Sequence, residues 1–245
     1  MNQADINRRD INRQDINIST GAGLQFDCYL ATPPLEKMSG NKIPAIVLAS
    51  AIHGVDQDLR NIADVFAAHG FIVAAPDLFW RTVPGPLVRD DPRAAPRGKP
   101  RLPVIKTGEQ DLIDVLTMLR AQPHFNGRAG VIGFCFGGPY AVLGPARLGY
   151  DAGMSLHGTQ MLDYIGELEG VTKPVCIIWG DQDYLAPAPV LDAYRALPAQ
   201  KPNVAVHVLP GIEHGYMLRG GTKVFDEKAY DFSMEKALAM MAALR

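Results

Sequence analysis

Apolar residues run without a break of charge over 43–49 and again over 71–75, the pattern of strands buried on both faces. Partial alternation of apolar and polar residues over 24–30 predicts an earlier strand, ended by Pro33 and Pro34. After the 43–49 run comes Gly54, then a helical period over 58–69 that stops at Gly70. Pro76-Asp77 stops the 71–75 strand. Further strands are expected at 129–132, 152–156, 174–179 and 204–209, with helices at 109–119, 137–148, 189–197 and 226–244. Short apolar strands that alternate with helices predict an α/β fold: a mostly parallel, twisted sheet with helices on both faces. Reactive groups on such a sheet sit at the C-terminal ends of the strands.

Two stretches break this rhythm. Residues 78–104 are rich in proline and arginine and show no periodicity, so a long excursion over the surface is expected. Residues 1–23 form a polar arm in which Asp-Ile-Asn recurs at Asp5, Asp10 and Asp15. A frayed arm or an edge strand is expected there, with no chemistry assigned. Residues 24–245 then make one domain.

Composition narrows the partners. The 245 residues carry a formal net charge of −2, which gives no general attraction to nucleic acid or acidic membranes. No run of about 18 apolar residues is present to span a membrane. The N-terminal arginines Arg8, Arg9 and Arg13 precede no apolar stretch of the kind a signal peptide needs. A cytoplasmic protein is the expectation. Cys28, Cys135 and Cys176 are odd in number and widely spaced, with no CxxC pair. That spacing supports neither a zinc site, nor a dithiol redox motif, nor a disulfide framework.

The most informative stretch is Gly133-Phe-Cys135-Phe-Gly137-Gly138, placed between a predicted strand and a predicted helix. A nucleophile elbow has this grammar, because the turn is so tight that the neighbours of its central residue must be small. Cys135 would stand above the sheet at the positive end of the following helix, where a thiolate is favoured. The amide of Phe136 is the natural oxyanion donor. The plainer alternative is a glycine-rich turn that happens to hold a buried cysteine.

A thiol nucleophile needs a base, and the base an orienting acceptor. In this architecture the chain order is nucleophile, acid, histidine. Asp183 follows the 174–179 strand and His214 the 204–209 strand, so both are expected at the C-terminal edge near Cys135. Asp181 on the same turn suits a turn-stabilising role. His69 ends a helix, His124 lies in a loop and His207 lies within a strand. His53 and His157 each follow a strand and are candidates to line the pocket, as are Phe79, Trp80 and Tyr184.

These residues resemble the dienelactone hydrolase family, a cysteine-nucleophile branch of the α/β-hydrolases. The resemblance spans residues 25–244 and includes Ala75-Pro-Asp-Leu-Phe79, the Cys135 turn and Gly180-Asp-Gln-Asp-Tyr-Leu-Ala-Pro187. It implies a triad of Cys135, Asp183 and His214, with oxyanion donors at the amides of Phe136 and Ile52. It also implies binding of substrate by arginine, with Arg219 near the expected place. The loop arginines Arg81, Arg89, Arg97 and Arg101 have no assigned counterpart. Ala51 stands where the family carries a glutamate that helps to activate the cysteine, so activation here is expected to rest on His214.

The implied reaction is hydrolysis of a small-molecule ester or lactone through a thioester on Cys135, with no metal or organic cofactor. Three other readings stay open. The same triad suits other activated esters such as phosphotriesters, or acyl transfer to an alcohol. The fold also serves as a non-catalytic binding module.

Overall fold

The structure, a computed structural model, describes residues 8–38, 40–220 and 224–245. Asp5 of the repeat lies outside them. Among the described residues, eight strands form one sheet: β1 (Asn12–Ser19), β2 (Gln25–Thr32), β3 (Ile43–Ala49), β4 (Ile72–Pro76), β5 (Phe125–Phe134), β6 (Ala152–Leu156), β7 (Val175–Gly180) and β8 (Val204–Leu209). Their order is β1-β2-β4-β3-β5-β6-β7-β8. The β1–β2 and β2–β4 pairs are antiparallel and the other pairs are parallel. Among the described residues, the α-helices that accompany them are α1 (Leu35–Met38), α2 (Gln57–Ala68), α3 (Ala94–Arg97), α4 (Arg101–Arg120), α5 (Tyr140–Leu143), α6 (Ala188–Gln200) and α7 (Glu227–Ala242).

Successive side chains of the central strands serve opposite faces. Ala45, Val47 and Ala49 of β3 join one core, with Leu112, Val115 and Leu119 of α4 and Tyr194 of α6. Ile46 and Leu48 join the other, with Ile62 and Phe66 of α2 and Met234 and Met241 of α7. Both sides of such a strand are apolar, which is why its sequence reads as an unbroken run. Cys28 and Cys176 are buried, one in each core, and burial pushes both thiols up, that of Cys176 to about 12.

Helix ends follow local chemistry. The Asp56 carboxylate accepts a hydrogen bond from the Leu59 amide and caps α2. At the other end the His69 ring donates from Nδ1 to the Val65 carbonyl at 2.8 Å. Helix α4 starts at Arg101, earlier than its apolar period indicates. Pro103 is tolerated within the first turn. Gly108 hides the pattern further, and a Cβ there would meet the Tyr140 hydroxyl, which donates to Ile105 O.

Residues 12–19, expected in a polar arm or edge strand, form the edge strand β1. Its side chains are mostly exposed, with Ile18 buried. Arg13 donates to Asp64 at 2.8 Å and the Tyr29 hydroxyl donates to the same carboxylate at 2.7 Å, tying this edge to α2. The 78–104 segment differs from the expected surface excursion. Leu78, Phe79, Leu87, Ala94 and Arg97 are buried, because the segment packs back over the C-terminal edge of the sheet. No helix among the described residues is long and apolar enough to cross a membrane.

The chain lays β4 on one side of β3 and later β5 on the other. The connections leaving β3 and β5 therefore diverge, and a crevice opens above their C-terminal ends.

Candidate active site

Cys135 follows β5 directly at φ +48°, a conformation that few non-glycine residues adopt. Close packing forces it. A Cβ on Gly133 would run into the carbonyl of Gly137, and a Cβ on Gly137 into the carbonyl of Ala49 on β3. The turn is pinned from the other side too, where the Thr159 amide donates to Cys135 O at 2.8 Å.

His214 follows β8 and Asp183 follows β7. His214 Nε2 lies 3.1 Å from Cys135 Sγ, and its Nδ1 lies 2.6 Å from Asp183 Oδ2. Asp183 is buried and its Oδ1 accepts from the Leu185 amide at 2.9 Å. A carboxylate so placed accepts a hydrogen bond from Nδ1–H and leaves Nε2 facing the sulfur. Burial alone would lower the His214 pKa. The hydrogen bonds to Asp183 and Cys135 and their negative charges outweigh it and raise the pKa to about 10. Asp181 points elsewhere: its carboxylate accepts from the Gly211 amide at 2.7 Å and joins the ends of β7 and β8.

A cavity of about 620 Å³ opens onto Cys135. Ala51, Ile52, His53, Phe136, His157 and Tyr184 all line it. Ala51 offers no carboxylate to the sulfur, so His214 is the only ionisable side chain hydrogen-bonded to Cys135 among the described residues. His53 Nδ1 lies 3.0 Å from Arg89 Nη1. Arginine only donates, so Nδ1 accepts and Nε2 carries the proton of the neutral ring. Burial, then the Arg89 charge, lowers the His53 pKa. Tyr184 is 79% exposed, with its ring 5.9 Å from that of His214. His157 is wholly buried at the end of β6, and burial followed by the His214 charge holds its pKa well below the ordinary value.

Three expected pocket residues, Phe79, Trp80 and Arg219, do not line this cavity. Trp80 stacks on Phe26 at 5.8 Å and donates to Asp111 at 3.2 Å, on the α4 side of the sheet. The turn after β4 is responsible: the Phe79 amide donates to Asp77, and Phe79 passes under Phe136 at 4.9 Å. Arg219 lies over the rings of Phe225 and Tyr230, in a separate groove bordered by α2 and α7. The pocket's arginines come instead from the 78–104 segment and the start of α4. Arg89 pairs with Asp56 and Asp58. Arg101 donates to the carbonyls of Phe136 and Thr159 at 3.0 and 2.8 Å, and lies over the Phe136 ring. Proline and arginine content marked that segment as unusual, but no spacing singled out Arg101.

A mostly parallel eight-stranded sheet with this turn after β5 defines an α/β-hydrolase. The chain belongs to the dienelactone hydrolase family, whose model matches residues 26–244. It is 24% identical to carboxymethylenebutenolidase 1 of Cupriavidus pinatubonensis, over 93% of this chain and 96% of that one. It is 26% identical to the carboxymethylenebutenolidase of Pseudomonas putida, over 82% and 86%. Among solved structures, the dienelactone hydrolase-like promiscuous phosphotriesterase P91 from metagenomic libraries superposes with a TM-score of 0.77. It is 19% identical, covering 96% of this chain and 99% of that one. The dienelactone hydrolase of Anabaena variabilis gives a TM-score of 0.67 at 18% identity, covering 96% and 100%. At such identities the structures speak for the fold alone.

Proposed function

We propose that this hydrolase cleaves small carboxylic esters or lactones through a thioester on Cys135. The observation that carries the reading is the unbroken chain from Sγ through the His214 ring to Asp183. The reaction begins when the Cys135 proton moves to His214 Nε2, 3.1 Å away, leaving a thiolate. The thiolate attacks the carbonyl carbon, and the amides of Phe136 and Ile52 receive the oxyanion, each contributing about 2.7–4 kcal/mol to the transition state. As the C–O bond breaks, His214 Nε2 gives its proton to the leaving alkoxide. The neutral ring then takes a proton from water while hydroxide adds to the thioester. Collapse of that intermediate expels the thiolate and releases the acid. Asp183 fixes the tautomer throughout.

The relatives named carboxymethylenebutenolidase favour a lactone. The P91 phosphotriesterase makes an activated phosphotriester the second compound to assay. Ile52, Phe136, Leu185 and Leu218 give the cavity an apolar lining that suits a compact acyl group. A cytoplasmic setting fits this chemistry, since a nucleophilic thiol must stay reduced.

The test is to quench p-nitrophenyl acetate turnover in the first milliseconds and map the protein by mass spectrometry. One acetyl group is expected on the peptide carrying Cys135. Turnover with acetyl on another residue would overturn the reading.

The raised His214 pKa sets the pH dependence. Its stabilising pair with Asp183 is complete below about 6.5 and is lost as pH rises through about 10. The imidazolium is also the proton donor, so kcat/KM should hold through neutral pH and fall near pH 10. Asp183→Asn is expected to lower kcat/KM by at least about 10²-fold and to move the alkaline limb toward neutrality. An unmoved limb in that variant would show that Asp183 does not hold the proton on His214.

A further inference from the structure

Three atoms able to bind a soft metal ion converge where β5, β6 and β8 end. Cys135 Sγ and one ring nitrogen each of His157 and His214 all lie within 4.8 Å of one another, and the His214 nitrogen that faces the sulfur is Nε2. His157 separates this arrangement from an ordinary thiol–imidazole pair. It is fully buried, and neither ring nitrogen has a hydrogen-bond partner among the described residues. A buried polar group without a partner calls for an explanation, and the hydrolytic steps above give His157 none. Its backbone is held, which leaves ring rotation and small shifts to bring its nitrogen in. The backbone sits at φ +42°, the His157 amide donates to Ile178 O at 3.0 Å, and the ring stands edge-on to His214 with centroids 4.9 Å apart.

We propose that Cys135, His157 and His214 form a binding site for Zn²⁺, at which metal and substrate exclude each other. One thiolate and two imidazoles are zinc donors, and three protein ligands leave a fourth tetrahedral position open to the pocket. Ligand atoms around tetrahedral zinc stand about 3.3–3.6 Å apart. The 3.1 Å contact between Cys135 and His214 has only to open by a fraction of an ångström, while His157 closes in. Asp183 already supplies the outer contact that zinc-binding histidines use, holding Nδ1–H so that Nε2 is free for the metal. On binding, one Zn–S and two Zn–N bonds form. The proton shared by Cys135 and His214 leaves to solvent, and no oxidation state changes. A sulfur held by zinc does not attack a carbonyl, so the metal-bound protein is an off state. The three ligands come from separate strand ends, which is why no sequence spacing announces the site.

The site is tested with Co²⁺ as a spectroscopic probe on the full chain, with Mg²⁺ as control. One equivalent of Co²⁺ should give a thiolate-to-metal charge-transfer band that Zn²⁺ abolishes by displacement and that Cys135→Ala lacks. His157→Asn, a residue that accepts positive φ, should weaken Co²⁺ and Zn²⁺ binding by at least about tenfold. X-ray absorption of the zinc-loaded wild type, which needs no variant to fold, should count one sulfur and two imidazoles. Added Zn²⁺ should stop ester turnover, and EDTA should restore it. Absence of a saturable band, wild-type affinity in His157→Asn, or a single imidazole in the absorption spectrum would overturn the proposal. The binding readouts do not depend on turnover, so they stand or fall apart from the esterase reading.

Discussion

Cys135→Ala is expected to lower the turnover of p-nitrophenyl acetate and butyrate by a factor on the order of 10⁴ or more, with the fold unchanged. The loss should be this large because sulfur is the only protein atom that forms a bond to the acyl group in the proposed route. The residual rate comes from whatever carbonyl polarisation the pocket amides supply to water. Thermal unfolding of the variant should match wild type, since the Cys135 backbone conformation is imposed by its neighbours and alanine removes only the sulfur. Parallel rates for wild type and variant are the decisive measurement. Equal turnover by the two would remove Cys135 from the chemistry. Cys135→Ser adds a finer contrast. A serine hydroxyl needs a neutral base, whereas Asp183 favours the imidazolium form of His214, so the serine variant should recover only a small part of the rate.

Gly133→Ala should strike stability and activity together. The added methyl would collide with the carbonyl of Gly137 and crowd the Cα of Gly138, which are backbone atoms with no rotamer to yield. The strand cannot shift alone, because Gly133 is paired with Ala49 on β3 and Ser155 on β6. A loss of about 3 kcal/mol is expected from such overpacking, read from the urea midpoint. Whatever relief the chain finds must move Cys135 relative to His214, so kcat should fall even in the fraction that stays folded. A variant with wild-type midpoint and rate would mean that the turn is looser than its packing implies.

The sheet was legible because its central strands must be apolar on both faces, so Ile43–Ala49 and Val175–Gly180 read as uninterrupted runs. The Cys135 turn was legible for a related reason: only glycine fits between the ends of β3 and β5, and glycine is visible in a sequence. Chain order then pointed to Asp183 and His214. Elsewhere the deciding contacts are tertiary. Edge strand β1 is solvated on most of its length, so it carries no hydrophobic period to detect. Trp80 and Arg219 follow strands as a pocket residue should, but which way a chain turns after a strand depends on partners such as Asp111 and Tyr230 that lie far along the sequence. Arg97 is a further case. It is buried against Phe79 and Gly85 within a segment whose proline and charge suggest solvent.

That segment has a consequence for how the protein can change. The reacting groups hang from β5, β7 and β8, whereas Arg89, Ala95, Gly98 and Lys99 of the pocket wall all belong to one continuous stretch between β4 and α4. The division makes residues 78–100 an exchangeable cassette. A transplanted stretch would bring a new wall and a new choice of substrate, and leave the sulfur, the imidazole and the carboxylate where they are. Its two ends set the terms of exchange. Arg97 must still find Gly85 and Phe79 inside the cassette. Arg101, just beyond it, must still reach the carbonyls of Phe136 and Thr159.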